Sequence, residues 1–226
     1  GLLSTFGMLG RTSRLKVFAP ECYASLFEQQ MNFFMQGMTY EIEFVPVDTT
    51  QQKVVYEDHS VTVETVPLRH RVPCCGYIFR EKPTLPHIRR DMIDYYGIPL
   101  SQINNIKNGA DWTTPEGDIV PNSRLVEPAD APRSYAYCSD TCYLPDLYER
   151  VKDVTVLYHE STYTSENEDR AKIYYHSTAR QAALVAQKAG AGRLLLGHYS
   201  ARYNNENVLL EEAKAVFPES YLALEG

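Results

Sequence analysis

Residues 194–203 read LLLGHYSARY: three leucines and a glycine run directly into His198, and Ser200, Arg202 and Tyr203 follow. A continuous apolar run of this kind suits a strand buried on both faces, as in parallel sheets covered by helices. Ligand sites of such sheets sit just beyond the carboxyl ends of the strands, where the apolar pattern has stopped but the backbone is still rigidly held. The position of His198 therefore raises the question of what its imidazole faces.

The second half of the chain repeats the arrangement. RSYAYCSD (133–140), DVTVLYHE (153–160) and RLLLGHYS (193–200) read as strands. LPDLYERV (144–151), STARQAALVAQKAG (177–190) and NENVLLEEAKAVF (205–217) read as helices between or after them. The strands end on polar residues: Asp140, His159 with Glu160, and His198. Earlier, LKVFAP (15–20) reads as a strand and 21–37 as a helix closed by Gly37. TYEIEFVPV (39–47), SVTVETVPL (60–68) and CCGYIFRE (74–81) read as further strands, with the period of two clearest in VTVETV. From Pro83 to about Asn122 the pattern is polar and irregular, with two helical pieces, His87–Tyr96 and Leu100–Lys107, separated by Gly97, Ile98 and Pro99. The final LALEG reads as an unfinished strand.

Composition sets the outer limits. With 226 residues, 44% hydrophobic and 23% charged, the chain can bury a sizeable core and is not disordered. No apolar run approaches the roughly 20 residues that span a bilayer, and nothing resembles a signal peptide, so no membrane partner and a cytoplasmic location are expected. Twenty-two basic against 29 acidic residues give a net charge of −7, which argues against a protein that coats nucleic acid but not against a nuclease with a local basic patch. Cys22, Cys74, Cys75, Cys138 and Cys142 are odd in number and fit neither a disulfide framework nor a zinc knuckle. They read as reduced thiols, mostly in the core.

Taken singly, each candidate has an ordinary structural explanation. A lone strand-end histidine is more often structural than functional. Asp140, in CSDTCY, could cap a turn; Ser177 or Thr178 could cap the following helix with His176 a bystander; His70 lies in an inter-strand loop. His59 and His87 read as surface residues. Taken together, His70, Asp140, His176 and His198 gather at a consistent end of the strands, and neutral imidazoles with a carboxylate are the ligands zinc prefers when it activates water.

These residues also carry a resemblance. The series PLRH (67–70) with GYIF (76–79), YCSDT (137–141), HEST (159–162), YYHSTARQAA (174–183) and LGHYSARY (196–203) resembles, in order, the later part of the ribonuclease Z family, and GLLSTFGMLGR (1–11) fits it too. The pairing of HST with HYSARY, after turns like GDT and HEAT, is specific. The resemblance implies an α/β chain with the αββα metallo-β-lactamase sandwich, here a single domain over 1–226 lacking its N-terminal part, with a tRNA-binding arm inserted near 83–122. It implies a zinc-dependent endoribonuclease that removes the 3′ trailer of precursor tRNA, two zincs per subunit, and a homodimer. His70 then matches a ligand of the first zinc, Asp140 the carboxylate bridging both, and His198 a ligand of the second. His176 matches a histidine assisting proton transfer to the leaving group, Glu160 the glutamate of the HEAT turn, and Ser200 with Arg202 the place where substrate phosphate is held.

The chain departs from the family in lacking the HxHxDH run that supplies three more histidine ligands and an aspartate. We expect that run to precede Gly1 in the natural protein, and expect these 226 residues alone to bind metal weakly, to be inactive and to be poorly soluble. Gly97-Ile98-Pro99-Leu100-Ser101 keeps only the start of the family's Gly-Pro arm tip, so a short arm is expected. Two alternatives stay open: another metallo-β-lactamase-fold phosphodiesterase or sulfatase-like hydrolase, and a noncatalytic relative if HxHxDH is truly absent.

Overall fold

The computed structural model describes residues 1–34 and 37–224. The chain opens with helix α1 (Leu2–Met8) and strand β1 (Leu15–Pro20). A 3₁₀ turn at Glu21–Tyr23 leads into α2 (Ala24–Phe34), so the α-helix expected from residue 21 starts three residues later, and residues 35–36 of that expectation lie outside the described residues. Strands β2 (Ile42–Val47), β3 (Val54–Glu57), β4 (Val61–Pro67) and β5 (Cys75–Glu81) follow. Then come the short β6 (His87–Ile88), α3 (Arg90–Tyr96), α4 (Leu100–Lys107), β7 (Trp112–Thr113), β8 (Ile119–Val120), α5 (Asn122–Leu125) and β9 (Val126–Glu127). The last part alternates: β10 (Ser134–Cys138), α6 (Leu147–Arg150), β11 (Val156–Glu160), α7 (Glu168–Tyr174), α8 (Ala179–Ala189), β12 (Arg193–Gly197), α9 (Asn207–Lys214) and β13 (Ser220–Leu222). Residues 225–226 of the expected terminal strand lie outside the described residues.

Two compact units arise. The larger takes in 1–58, 62–79 and 134–226 and contains a seven-stranded sheet in the order β13-β12-β11-β10-β5-β4-β3. From β10 to β13 each strand is parallel to the next, with Cys138 opposite His159 and Glu160 opposite Gly197. Parallel neighbours need long crossovers, and α6, α8 and α9 lie in them. These helices bury Leu147, Val151, Ala179, Ala182, Ala183, Ala186, Leu209 and Ala213 against Val66, Ile78, Leu157, Leu194 and Leu196 of the sheet. Alanines along α8 let the helix approach the strands closely, and its N-terminus carries a capping box in which Thr178 and Gln181 exchange side-chain and backbone hydrogen bonds. The alternate side chains of β10 and β11 form an aromatic surface, where the rings of Tyr137 and Tyr158 stack 4.6 Å apart. Gly197 lacks a Cβ because one there would run into the Tyr158 phenol. Strands β1 and β2 pair in parallel, Leu15 opposite Ile42, as a separate two-stranded sheet.

The smaller unit comprises 59–61 and 80–133. Here the sequence looks irregular, yet Ile98, Ile106, Val120 and Leu125 form a buried cluster. Asn122 knits it by donating from Nδ2 to the carbonyls of Ile106 and Ala110, at 2.6 and 2.9 Å. Gly97, with φ 58°, ends α3 in the left-handed conformation that glycine tolerates best.

The core assignment makes a stability prediction. Leu157→Ala, at a fully buried position, should lower unfolding free energy by about 2–5 kcal/mol. Leu100→Ala, where the side chain is 83% exposed, should change it by less than about 0.5 kcal/mol. Urea titrations of the two variants would check the contrast; equal losses would place Leu157 outside the core.

Candidate metal centre

Three consecutive strand ends build the site. After β10 the chain turns at Asp140, β11 ends on Glu160 with Thr162 just beyond it, and after β12 the chain turns at His198. The segments after β11 and β12 are zipped together, since Ser161 N donates to Gly197 O at 2.8 Å and Ser200 N to Thr162 O at 3.3 Å. His176 arrives from the loop between α7 and α8, where Tyr175 ends α7. Among the described residues, four non-glycines have left-handed backbone, and three of them are Asp140 (φ 55°), Tyr175 (φ 61°) and His198 (φ 58°). Such conformations cost roughly 1 kcal/mol or more each and cluster at functional sites, where the surrounding structure holds them in place.

Glu160 is the centre of the network. Its side chain is fully buried and accepts four hydrogen bonds. Oε1 receives Thr141 N at 2.6 Å and His176 Nδ1 at 2.9 Å. Oε2 receives the Thr162 hydroxyl at 2.6 Å and Ser177 N at 3.0 Å. Burial acts to raise its pKa, but the bonds from His176, Ser177 and Thr162 outweigh burial and hold it below the usual carboxylate range. The hydrogen bond to Glu160 in turn raises the His176 pKa above its ordinary value, against the opposing effect of burial.

His198 bridges this network and Asp140. Its Nδ1 lies 2.9 Å from the Thr162 hydroxyl, and its Nε2 lies 2.8 Å from Asp140 Oδ1. The rings of His176 and His198 stack at 5.1 Å, and the ring of His70 lies 5.0 Å from that of His176. His70 Nδ1 is 3.0 Å from the Tyr175 carbonyl, which only an N–H can satisfy.

Asp140, Glu160, His176 and His198 offer ligand-type atoms that all lie within 4.8 Å of one another. Their hydrogen bonds separate them by chemistry. Glu160 has a donor at each of its four lone-pair positions and His176 Nδ1 is committed to it, so neither of those atoms is open to an ion. Asp140 and the Nε2 atoms of His176 and His198 remain; of these, Asp140 Oδ1 and His198 Nε2 lie 2.8 Å apart and half exposed, a hard oxygen and an imidazole nitrogen that fit zinc. His70 stands outside the four-residue cluster but adjoins it through His176. Ser200 and Arg202 sit at the rim: Arg202 Nε donates to Ser200 Oγ at 3.3 Å, and the guanidinium lies 5.5 Å from the Tyr163 ring centroid.

Thr162, Thr141 and the Tyr175 carbonyl escape a reading of the sequence, because an ordinary threonine or a backbone oxygen carries no signal of its own. The capping ambiguity resolves: Thr178 caps α8, while the Ser177 hydroxyl donates to Thr141 O at 2.8 Å. His159, beside Glu160, belongs to the core; its Nδ1 is 2.7 Å from Glu160 O, and burial pushes its pKa down. His59 and His87 are exposed, the latter 3.7 Å from Asp130. All five cysteines are free thiols; burial pushes Cys138 up to about 12 and Cys74 up to about 11.

No protein-family model matches the chain. Among curated proteins, Ribonuclease Z of Bacteroides fragilis is 50% identical over all 226 residues, which cover 74% of that protein. Ribonuclease Z of Porphyromonas gingivalis is 44% identical, again over the whole chain and 74% of the relative. Among solved structures, the metallo-β-lactamase fold protein YhfI of Bacillus subtilis superposes with a TM-score of 0.62 at 16% identity, covering 100% of this chain and 68% of that one. The short form of human tRNase Z superposes with a TM-score of 0.57 at 18% identity, covering 99% and 70%. The expected metallo-β-lactamase fold is thereby established.

Asp140→Ala and His198→Ala should each lower Zn²⁺ affinity by about 100-fold or more, since each removes an open ligand, and should leave the circular dichroism spectrum unchanged. Competition with a chromophoric chelator would measure it; a variant that binds as tightly as the parent chain would remove its residue from the site.

Proposed function

The chain belongs to the ribonuclease Z family, and we propose that it hydrolyses the phosphodiester at the 3′ end of precursor tRNA, releasing the trailer, with zinc held at Asp140 and His198. The observation that carries the reading is His176, locked on Glu160 at 2.9 Å and stacked on a histidine that touches Asp140, in a chain half identical to a ribonuclease Z. Two zincs per subunit, with His70 on the first, Asp140 shared and His198 on the second, complete the proposal. The proposal extends to a cytoplasmic homodimer, a reading supported by the family resemblance alone. No helix among the described residues is long and apolar enough to cross a membrane.

Zinc supplies a low pKa for water and offsets charge growing on the phosphoryl oxygens. The chain's own side chains do the rest. Because Nδ1–H of His176 is bound to Glu160, only Nε2 can exchange a proton with substrate. The raised pKa keeps a proton on Nε2 closer to neutral pH, where a general acid is needed. As a water oxygen bonds to phosphorus and the bond from phosphorus to the ribose 3′ oxygen breaks, that proton passes to the departing oxygen, and the phosphate stays on the trailer. Arg202, its fork oriented by Ser200 and its flat face near Tyr163, suits a non-bridging phosphate oxygen.

The smaller unit is proposed as the arm that grips tRNA. Arg89 is tied to Asp91 at 2.6 Å, whereas Arg90 is exposed beside it and Lys107 ends α4. These cations would meet backbone phosphates.

Two measurements test the reading. In the full-length protein, His176→Ala should keep its zinc while the rate on a 3′-extended tRNA falls about 10²- to 10⁴-fold; loss of the metal instead would make His176 a ligand. Reversing both charges, Arg90→Glu with Lys107→Glu, should raise KM for tRNA and flatten its salt dependence, yet spare hydrolysis of bis-p-nitrophenyl phosphate. An enzyme that cleaves the small diester but no tRNA would favour a different phosphodiesterase of the same fold.

A further inference from the structure

We propose that Thr162 is a positioning residue that makes His198 a metal ligand, by accepting a hydrogen bond from its Nδ1–H and so committing Nε2 to the side of Asp140. The inference rests on the metal site proposed above and concerns how this chain prepares it.

The argument is one of proton counting. A threonine hydroxyl has one proton to give. Thr162 Oγ1 lies 2.6 Å from Glu160 Oε2, 2.9 Å from His198 Nδ1 and 3.0 Å from His198 O. An ionised carboxylate at the shortest distance outcompetes a neutral carbonyl, so the proton points to Glu160. Thr162 Oγ1 therefore faces His198 with a lone pair, and Nδ1 must carry the hydrogen between them. Nε2 is left for whatever Asp140 Oδ1, 2.8 Å away, shares with it.

The geometry leaves the hydroxyl little freedom. Thr162 is 5% exposed, and a β-branched side chain has few χ1 choices. Its backbone is fixed against the His198 loop by Ser200 N at 3.3 Å and Ser161 N on Gly197 O at 2.8 Å. Glu160 thus sets two imidazoles, His176 directly and His198 through Thr162, while the Tyr175 carbonyl does the same for His70 at 3.0 Å. In all three rings Nδ1 is spoken for. A ligand whose second nitrogen is held in this way is oriented before the ion arrives, which is why the loss of such a partner weakens metal binding.

Thr162→Val keeps the shape and removes the hydroxyl; Thr162→Ser keeps the hydroxyl and removes the methyl. In a Zn²⁺ titration against a competing chelator, the valine variant should bind about 10- to 100-fold more weakly than the parent, and the serine variant within about threefold of it. In zinc-loaded chain labelled with ¹⁵N-histidine, His198 should show a protonated, slowly exchanging Nδ1 in the parent and the serine variant. Valine binding as tightly as the parent, or serine as weakly as valine, would overturn the proposal. So would a parent spectrum with the His198 proton on Nε2, a result that needs no variant to fold. A parent chain that takes up no Zn²⁺ would instead defeat the metal site itself, and this inference with it.

Discussion

A carboxylate cut off from water is tolerable only when donors replace its hydration, and Glu160 has four of them. They come from three places far apart in sequence: Thr141 after β10, Thr162 after β11, and His176 with Ser177 ahead of α8. The same contacts that make the buried charge acceptable therefore fix the loops that carry Asp140, His176 and His198. Ser177 and Arg69 extend the network, each meeting Thr141, through the carbonyl at 2.8 Å and the hydroxyl at 3.2 Å respectively. Removing any one donor leaves a buried acceptor unmet, and removing Glu160 leaves several donors unmet at once. Fold and chemistry meet in this one side chain.

The parallel sheet makes that convergence possible. Because β10, β11 and β12 run the same way with neighbouring registers, their carboxyl ends lie side by side, and each can deliver one polar group to a common point. The helices in the crossovers, α6, α8 and α9, supply the apolar area that packs against the sheet. Left-handed turns at Asp140 and His198 then bend the chain away immediately after the strand, so that each side chain stays at the edge of the sheet.

Much of this was legible in the residues. Strands whose apolar runs end abruptly in Asp140, Glu160 and His198 announce both the sheet and the edge where the site lies, because burial and polarity switch within one or two positions. What was hidden had weak local patterning. Strand β3 has no fully buried residue, so VVYE shows no alternation to read. Helix α7 buries only Ala171 and looks like a polar loop. The smaller unit builds its core from strands of two residues and short helices, too brief for any period to emerge. In the site, Thr162 and the Tyr175 carbonyl act through tertiary geometry alone, while Glu160, legible as a strand-end acid, is an anchor where a carboxylate beside histidines suggests a ligand.

The backbone at Asp140 has a bearing on how this site could drift or be engineered. With φ at 55°, the position disfavours most side chains, whereas asparagine is among the few non-glycines that enter this region readily. One nucleotide change separates the two residues in the genetic code, and asparagine would preserve the turn while removing the charge. If Asp140 holds the metal as proposed, an inert copy of this molecule would be a single conservative step away with its architecture undisturbed. The same step would then offer an experimenter a docile form in which an RNA could be held uncut long enough to be seen.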